Sequence, residues 1–504
     1  RGPFKSASTI SAKLSLDAVR GNTTVRSDTP FFKASHVGAL FSIIHEGQGG
    51  NYFLGAKEEH TDPIKVSGLS DTGIGGLGER TISWAITGTY VGTLQLERSF
   101  DGPDNGYLVV QAVSGSGSYQ DEADNVEVWY RVRLSALTSG GPVVALTYEG
   151  GFREGIIRAT GFLDNQAMEC EVLEPFSDTG GSENWAEGAW SDVQGYPTAV
   201  AFHEGRLFHA GKANIWGSVS DDFANFSDLV PGDAGPIDKS LGSGPVDQIT
   251  FLESMQRLIA GTAGSEIAIR SSSLDEPLTP SNASARQFST QGSSALDSVK
   301  IDSRAFFAQR SGKKIFSIGF GQTGVTAGDY DAQDLTLLTP DLLDAGIVDM
   351  AVQRQPDTRL HCVLADGTVA ILTYEPREEV LAWSKWSTDT GLDSKVEKAV
   401  VLPGTDEDEV YYHIKRTVNG TTKRFLEKWA KESETTGDTG LTWIADCAVS
   451  MTDTGRSDTV AIDHLIGTKV TAWANDTGQS NNYGKDLSPD DTGGTQVLYT
   501  VDTG

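Results

Sequence analysis

Apolar and polar residues alternate with a period of two along much of the chain. The clearest case is residues 126–134, where every second residue is apolar: Val126, Val128, Tyr130, Val132 and Leu134. This spacing puts the apolar side chains on one face and is typical of a strand with one buried face. Residues 359–374 and 410–429 each predict two strands joined by a tight turn, at Asp366-Gly367 and at Asn419-Gly420. Both dipeptides favour hairpin turns because their residues tolerate positive φ angles.

Helical periodicity is weak by comparison. The best candidate helix runs over residues 334–338, with a continuation at 340–343, and spans a few turns at most. The composition points the same way, since 57 Gly, 17 Pro and only 4 Met describe a turn-rich and strand-rich chain. The sequence therefore predicts an all-β fold with less than about 15% helix, well below the usual third.

Three domains are predicted. Residues 1–190 are expected to form one or more β-rich domains of sandwich or barrel type, ending in a Gly-, Ser- and Asp-rich stretch over 176–197. Residues 191–440 contain successive β units of about 45–50 residues, which predict a β-propeller-like platform. These units begin near Pro197, Val246, Ser298, Gly346 and Val396. Residues 441–504 are expected to form a small β segment, with strands near Val460–Ile462 and Lys469–Trp473.

The charge balance is strongly acidic. Forty Lys and Arg stand against 69 Asp and Glu, giving a net charge of −29. A protein that grips nucleic acid over its general surface is excluded, because phosphate contacts need clustered Lys and Arg. A protein that DNA merely passes is not excluded, and acidity could equally keep a halophilic or highly expressed protein soluble. The sequence has no run of about 18 apolar residues, so no membrane span is expected.

The cysteines and histidines predict no metal or cofactor site. Cys170, Cys362 and Cys447 lie far apart and form no CxxC pair, which argues against a disulfide framework or a structural zinc site. His203 and His209, six residues apart in AFHEGRLFHAG, are expected to share one face if both lie on a strand. No Cys or carboxylate accompanies them at ligand spacing, so ordinary hydrogen bonds are the preferred interpretation.

The triplet Asp-Thr-Gly is the most frequent motif. It occurs eight times, at Asp71, Asp178, Asp389, Asp438, Asp453, Asp476, Asp491 and Asp502. Aspartic proteases use two such Asp residues that share one proton, because two carboxylates so close cannot both ionise. That mechanism requires apolar strands around each triplet, whereas here the preceding residue is mostly Ser, Thr, Gly, Asn or Asp. The triplets are therefore predicted to be surface turns with no shared-proton pair.

Two further motifs are also assigned to turns. Ser99-Phe100-Asp101-Gly102 with Gly106-Tyr107 resembles the Asp-box hairpin of sialidase-like propellers, which is an element of the fold and not of catalysis. A sialidase would also need an arginine cluster and a Tyr nucleophile with its Glu partner. The glycine-rich run over residues 71–78 precedes a segment that reads as a strand, so it does not fit a dinucleotide-binding loop that opens a helix.

Charged clusters complete the candidate sites. The acidic runs at residues 406–409 and 121–124 lack the spacing of a Ca²⁺-binding loop and are predicted to be solvated turns. The same interpretation applies to two basic clusters, which contain Arg310, Lys313, Lys314, Lys423 and Arg424. The sequence thus predicts no catalytic residues, no cofactor-binding residues and no metal ligands, and the chain is not expected to be an enzyme.

Three groups of segments, in order along most of the chain, resemble one protein family. The first comprises RGPF at 1–4, HVGALF at 36–41 and GTYVGTLQLERSFDG at 88–102. The second comprises AVAFHEGRLFHAG…NIWGSVSDDFANFSD at 199–228 and LTPSNASARQFSTQGSSAL at 278–296. The third comprises FFAQRSGKKI at 306–315, DYDAQDLTLLTPDLL at 329–343 and CVLADGTVAILTYEPREEVLAWSKW at 362–386. Together they resemble the tail nozzle proteins of short-tailed bacteriophages (tail tubular protein B-like, or phage stabilisation, proteins).

The resemblance implies a structural protein of the virion tail: a β-propeller platform with β-rich appendages, assembled as a ring of six subunits. The implied partners are further copies of the chain, the tail adaptor and portal-proximal proteins, and tail fibres or spikes. Genomic DNA would pass through the tail tube during ejection without sequence-specific binding, and a net acidic wall would let it slide. Two alternatives stay open: a receptor- or glycan-binding β module of a virion or cell surface, and a hydrolase built on a propeller.

Overall fold

The structure is a computed structural model of the 504-residue chain. It describes residues 2–432 except 6–10, 67–70, 73–76, 79, 122–126, 229, 231, 242–247, 272–275, 322–328, 389–392 and 419, together with four short strands between residues 459 and 498. Strands make up 57% of it, and its described part contains no helix of seven or more residues. Accordingly, none of the helices described there is long and apolar enough to cross a membrane. The prediction of an all-β chain is confirmed.

The chain divides into two compact units, Arg1–Tyr196 with Asp222–Pro231, and Pro197–Asp221 with Gly232–Gly504. The strands of the first unit are β1 Leu14–Leu16, β2 Asn22–Ser27, β3 Leu40–Phe53, β4 Ile64–Val66, β5 Asp71–Thr72, β6 Leu77–Gly78, β7 Thr81–Thr87, β8 Tyr90–Ser99, β9 Leu108–Val113, β10 Gly117–Gln120, β11 Val128–Gly140, β12 Val143–Asp164, β13 Ala167–Glu174 and β14 Trp185–Glu187. A 3₁₀ helix, Ala34–His36, precedes β3.

One long strand, β12, supports both hydrophobic cores of the first unit. It pairs antiparallel with β3 over most of its length, with β7 near its start and with β13 near its end. The register with β3 shifts between Tyr148 and Phe152. Before this shift, Val144 and Leu146 enter a core shared with the sheet β4-β11-β8-β9; after it, Ile157 enters a second core beside β1, β2 and β13.

Strand β11 confirms the alternation that the sequence predicted. Val128, Tyr130, Val132 and Leu134 are all buried in the core below its sheet, while Val126 lies outside the described residues. The strand pairs antiparallel with β8 and β4. Its four alternating apolar side chains are what bind this sheet to the core, since burial of each contributes roughly 1.5–3 kcal/mol.

Five antiparallel sheets follow one another in the second unit. Each of the first four is a four-stranded meander in chain order, and the fifth has three strands. The strands are, in the first sheet, β15 Ala199–His203, β16 Arg206–Gly211, β17 Asn214–Gly217 and β18 Ile237–Ser240; in the second, β19 Ile249–Ser254, β20 Leu258–Thr262, β21 Glu266–Arg270 and β22 Ser284–Ser289; in the third, β23 Val299–Ile301, β24 Arg304–Ala308, β25 Ile315–Phe320 and β26 Tyr330–Asp334; in the fourth, β27 Ile347–Gln353, β28 Arg359–Leu364, β29 Val369–Glu375 and β30 Val380–Trp386; and in the fifth, β31 Lys395–Leu402, β32 Glu409–Val418 and β33 Thr421–Lys428.

Each of these sheets packs against the next through its own apolar core. Phe208 of the first sheet and Leu258 of the second belong to one core, and the Phe307 ring of the third sheet packs on the Phe251 ring of the second. The third and fourth sheets, and the fourth and fifth, share cores in the same way. The five sheets thus pack in succession along the chain. The first strands of the five sheets begin within three residues of the predicted unit starts.

The predicted hairpins form, but the predicted helix is wrong. Gly367 and Gly420 both have positive φ, at 89° and 71°, in the turns β28–β29 and β32–β33. Asp334 is instead the last residue of β26, and residues 335–343 form bends and turns. Asp334 Oδ1 accepts hydrogen bonds from the backbone N–H and the hydroxyl of Thr336, which ends the strand in an Asx turn. A second 3₁₀ helix, Pro376–Glu378, joins β29 to β30.

Two small strand pairs lie in the predicted third segment. They are β34 Thr459–Ala461 with β37 Gln496–Leu498, and β35 Val470–Trp473 with β36 Gly484–Leu487. Both strands expected from the sequence are therefore present. The predicted domain limits at residues 190 and 440 stay predictions.

Candidate functional site

A groove opens along the first strands of the second unit's sheets. It has a volume of about 640 Å³ and is lined by the start of the first sheet, the end of β19 and the residues just before β23. The lining residues are Pro197, Thr198, Ala199, Val200, Ala201, Phe202, His209, Leu252, Glu253, Ser254, Asp297 and Ser298. Its volume lies within the range of small-ligand sites.

The apolar part of this groove comes from the alternation of β15. Ala199 and His203 point to the buried side of the first sheet, so Val200 and Phe202 point outward. Val200 is 58% exposed and Phe202 is 63% exposed. Two large apolar side chains presented side by side to solvent are a feature of interaction surfaces.

The polar part of the groove comes from the second sheet and from the approach to the third. Glu253 Oε2 accepts a hydrogen bond of 2.9 Å from the Ser298 hydroxyl, and Asp297 beside it is exposed. Burial raises the pKa of Glu253 above its ordinary value, although the hydroxyl and the charge of Lys300 oppose that shift. The groove wall is therefore acidic.

Polar contacts also tie the first strands to one another from sheet to sheet. His203 Nδ1 lies 2.9 Å from the Ser254 hydroxyl, and the Ser254 carbonyl accepts a hydrogen bond of 2.7 Å from Lys300 Nζ. The Lys300 carbonyl in turn accepts from Arg354 Nη2 at 2.6 Å. Finally, Lys398 Nζ lies 3.1 Å from Asp349 Oδ1. We call these four contacts the first-strand ladder.

The first-strand ladder has a consequence for charge. Lys300, Arg354 and Lys398 are each held by an oxygen of the preceding sheet, so their cations are engaged within the fold. Phosphate binding competes poorly for a cation that already has an oxygen partner. Sequence reasoning missed the ladder, and the only signal for it was the recurrence of Lys or Arg on successive units.

His203 and His209 do not share a face as expected. A two-residue turn with positive φ at Glu204 (46°) and Gly205 (70°) separates them, so they lie on the adjacent strands β15 and β16. His209 pairs with Val200 and His203 pairs with Arg206, which puts the two imidazoles on opposite faces of the sheet. Burial lowers the pKa of both histidines. Glu204-Gly205 was the turn signal that the sequence offered.

The described Asp-Thr-Gly triplets behave as the sequence predicted in one case and differently in another. Asp178 is exposed, and its Oδ1 accepts hydrogen bonds from the backbone N–H groups of Thr179 (2.7 Å) and Gly180 (3.2 Å), which confirms a surface turn. Asp71 lies instead in the two-residue strand β5, paired with β6. The six triplets from Asp389 onward lie outside the described residues.

The other two motifs confirm their assignments. The segment from Ser99 to Tyr107 links β8 to β9, and the Ser99 hydroxyl both donates to the Asn105 carbonyl and accepts from the Asp101 backbone N–H. The glycine-rich run at 71–78, of which residues 73–76 lie outside the described part, is followed by strand β7 and not by a helix.

The acidic runs are only in part the solvated turns that were predicted, since Asp406 is exposed in a bend but other carboxylates are buried. Asp121 is 1% exposed and pairs with the equally buried Arg80, whose Nε and Nη2 lie 3.0 and 2.5 Å from its Oδ2. Glu122 and Asp124 lie outside the described residues. In the run 406–409, Glu407 is buried, and Asp408 Oδ2 accepts from the backbone N–H groups of Arg354 and Gln355. Burial of these carboxylates is tolerated because each accepts hydrogen bonds from donors within the fold.

The predicted basic clusters are partly neutralised. Lys314 Nζ lies 2.7 Å from Asp334 Oδ2, and Lys313 lies 3.8 Å from Asp344. Arg424 pairs with Glu397 at 2.8 Å, on the outer face of the fifth sheet. Such exposed pairs contribute little to stability.

The remaining candidate groups are possible metal ligands and the cysteine thiols. Within the described ranges no cluster of three or more His, Cys, Asp or Glu is placed to hold a metal ion. Cys170 and Cys362 are buried thiols, and burial raises the pKa of both. The groove joins an apolar surface to an acidic wall, which suits a protein or glycan ligand.

Comparison with known proteins assigns no family. No protein-family model matches the chain. No curated protein matches it either.

Proposed function

We propose that this chain is a structural protein of a short-tailed phage virion, a tail nozzle subunit that forms a ring, conducts genomic DNA and helps to retain or release it. The observation that carries the proposal is the place of the segments that resemble nozzle proteins. Three of them form consecutive strands and turns of the first, third and fourth sheets: AFHEGRLFHAG covers β15–β16, FFAQRSGKKI runs from β24 to the start of β25, and CVLADGTVAILTYEPREEVLAWSKW runs from β28 to β30.

Charge supports the conduit role. A wall that lets DNA slide must not neutralise phosphates, because each basic contact adds salt-dependent grip. The chain has a net charge of −29, and the cations of the first-strand ladder are engaged within the fold. The proposal includes no enzymatic activity and no cofactor.

Microscopy of the assembled tail tests the proposal. We expect a sixfold ring of this chain between the portal-proximal proteins and the tail tip, around a channel with a net acidic wall. A channel wall lined chiefly by Lys and Arg, or a subunit found only as peripheral monomers, would overturn the conduit role.

The groove favours a second candidate, a receptor- or glycan-binding module. The exposed Phe202 ring offers a stacking surface, and Glu253 and Asp297 offer acceptors for sugar hydroxyls. A glycan array probed with wild-type protein and with Phe202→Ala would show signals that the substitution abolishes. Any glycan that binds in the array is then tested as a substrate for hydrolysis. Cleavage by the wild type but not by Glu253→Gln would identify a hydrolase.

A further inference from the structure

The outer face of the fifth sheet is unlike the rest of this acidic chain. The alternate residues Val410, Tyr412 and Ile414 of β32 pack on the fourth sheet, so the residues between them point away from it. Register with β31 and β33 gathers on this outer face the cations Lys395, Lys398, Lys415, Arg424 and Lys428 around the apolar side chains Val400, Leu402 and Leu426. We call this set the basic face.

The apolar side chains of the basic face are presented to solvent. Leu426 is 69% exposed, Leu402 50% and Val400 48%. Against the five cations stand three carboxylates, Glu397, Glu409 and the Asp349 that pairs with Lys398, on a protein whose net charge is −29. An apolar centre with a charged rim is the composition of a protein interface.

Ion pairing favours a protein over DNA as the occupant of the basic face. Arg424 is paired with Glu397, Lys428 with Glu409 at 3.0 Å, and Lys398 with Asp349. Phosphates would have to compete with these carboxylates, and a polyanion gains nothing from contact with Leu426. A partner with an apolar centre and an acidic rim satisfies both parts of the face.

Such a surface exists at the other end of the same series of sheets. The groove of the first sheet presents Val200 and Phe202 to solvent, and Glu253 and Asp297 make its wall acidic. The two surfaces are complementary in charge, and both are apolar at their centres. They are also different patches of one chain, as a head-to-tail contact requires.

We propose that the basic face of one copy of this chain docks on the acidic groove of the next copy. This inference rests on the proposed function, because a ring of identical subunits needs a heterologous contact of this kind. Leu426, Val400 and Leu402 meet Val200 and Phe202 at the centre of the contact, and Lys415 approaches Glu253 and Asp297 at its rim.

Cross-linking of engineered cysteines tests the contact. Phe202→Cys and Leu426→Cys are made separately in full-length protein that also carries Cys447→Ser; the other two cysteines, Cys170 and Cys362, are buried. Under mild oxidation we expect a mixture of the two variants to form disulfide-linked dimers and each variant alone to form none. Leu338→Cys, at a leucine that is 92% exposed and outside both surfaces, is the matched control and should form no dimer with Phe202→Cys.

The double variant Phe202→Cys/Leu426→Cys distinguishes contact between copies from contact within one copy. We expect a ladder of cross-linked multimers. A monomer with an internal disulfide would overturn the proposal, because the two surfaces would then meet within one chain. Dimers of a single variant, or no cross-link in the mixture, would overturn it as well.

Charge reversal supplies the second readout. Lys415→Glu should raise the dissociation constant between copies by about tenfold at low salt, because the attraction of Lys415 to Glu253 and Asp297 becomes a repulsion. The difference between the variant and the wild type should shrink as the salt concentration rises. Duplex DNA that bound the wild type and was released by Lys415→Glu would assign the basic face to nucleic acid instead. If cross-linking fails while the tail shows a ring, only the contact is wrong; if it succeeds while the tail shows no ring, only the tail function is wrong.

Discussion

His361 should make the packing of the fourth sheet on the fifth sensitive to acid. It lies in β28 and is 1% exposed. Its Nε2 lies 3.2 Å from Gln353 Oε1 and its Nδ1 lies 2.7 Å from the Tyr412 hydroxyl. Because the amide oxygen can only accept, Nε2 carries the proton of the neutral ring, and Nδ1 accepts from Tyr412. The neutral ring is thus fully satisfied, and a second proton would bring an unpaired charge into the core.

The size of the effect follows from the pKa. Burial, with a smaller contribution from the charge of Arg359, lowers the pKa of His361 from 6.5 to about 4. The unfolded chain therefore takes up this proton as the pH falls below 6.5, whereas the folded chain resists it down to about 4. The stability that depends on the neutral ring is complete above pH 6.5 and is lost between 6.5 and 4. A difference of 2.5 pKa units corresponds to about 3 kcal/mol.

Unfolding in guanidinium chloride at pH 7 and at pH 4 measures this loss. Trp429, whose ring lies 6.0 Å from that of His361, contributes to the fluorescence signal. His361→Asn removes the titrating group while keeping an acceptor near Tyr412, so wild type should lose about 3 kcal/mol more than this variant between the two pH values. Ile371→Val, in the same core, is the control and should lower stability equally at both. Equal losses for wild type and His361→Asn would refute the reasoning.

Three further predictions concern buried groups elsewhere. Arg80→Ala should lower the free energy of unfolding by about 3–5 kcal/mol because it removes the guanidinium that pairs with the buried Asp121 carboxylate. The double change Arg80→Met/Asp121→Leu should lower it less, and denaturant titration of both variants measures the difference. Gly261→Ala should lower the free energy of unfolding by about 1–3 kcal/mol in the same titration, because the added methyl group overlaps the Phe251 ring. Adding Phe251→Leu to this variant should restore part of the lost stability. Cys362, whose thiol pKa burial raises, should resist iodoacetamide at pH 8 until the chain is denatured; alkylation of the native protein, seen by mass spectrometry, would contradict this.

Local patterns predicted the strands well because their causes are local. The alternation over β11 and the turns at Gly367 and Gly420 depend on side-chain spacing and φ preference within a few residues. The spacing of the five units was equally visible, since each unit opens on an apolar strand. The candidate helix at 334–343 failed because the Asx turn at Asp334 prevailed over a weak helical pattern.

Long-range partners explain the sites that the sequence missed. Asp121 was predicted to be solvated, but Arg80, 41 residues earlier, is brought against it by the pairing of β7 with β10. Likewise, Lys300 and Arg354 were not singled out, because their acceptors belong to the preceding sheets. No local pattern encodes a partner that arrives with another strand.

The sequence by itself determined that this chain is all-β, where its strands and hairpins lie, and that its second half repeats about every 50 residues, because these depend on neighbouring side chains and turn geometry. The tertiary structure alone decided which face of each strand is covered. Alternation divides β32 into two sets of side chains: Val410, Tyr412 and Ile414 on one side, and Tyr411, His413 and Lys415 on the other. The fourth sheet packs on the set that contains Tyr412, and this packing alone makes the set that contains Lys415 the outer face. Burial is a property of a pair of surfaces, and the second surface comes from residues far away in the chain.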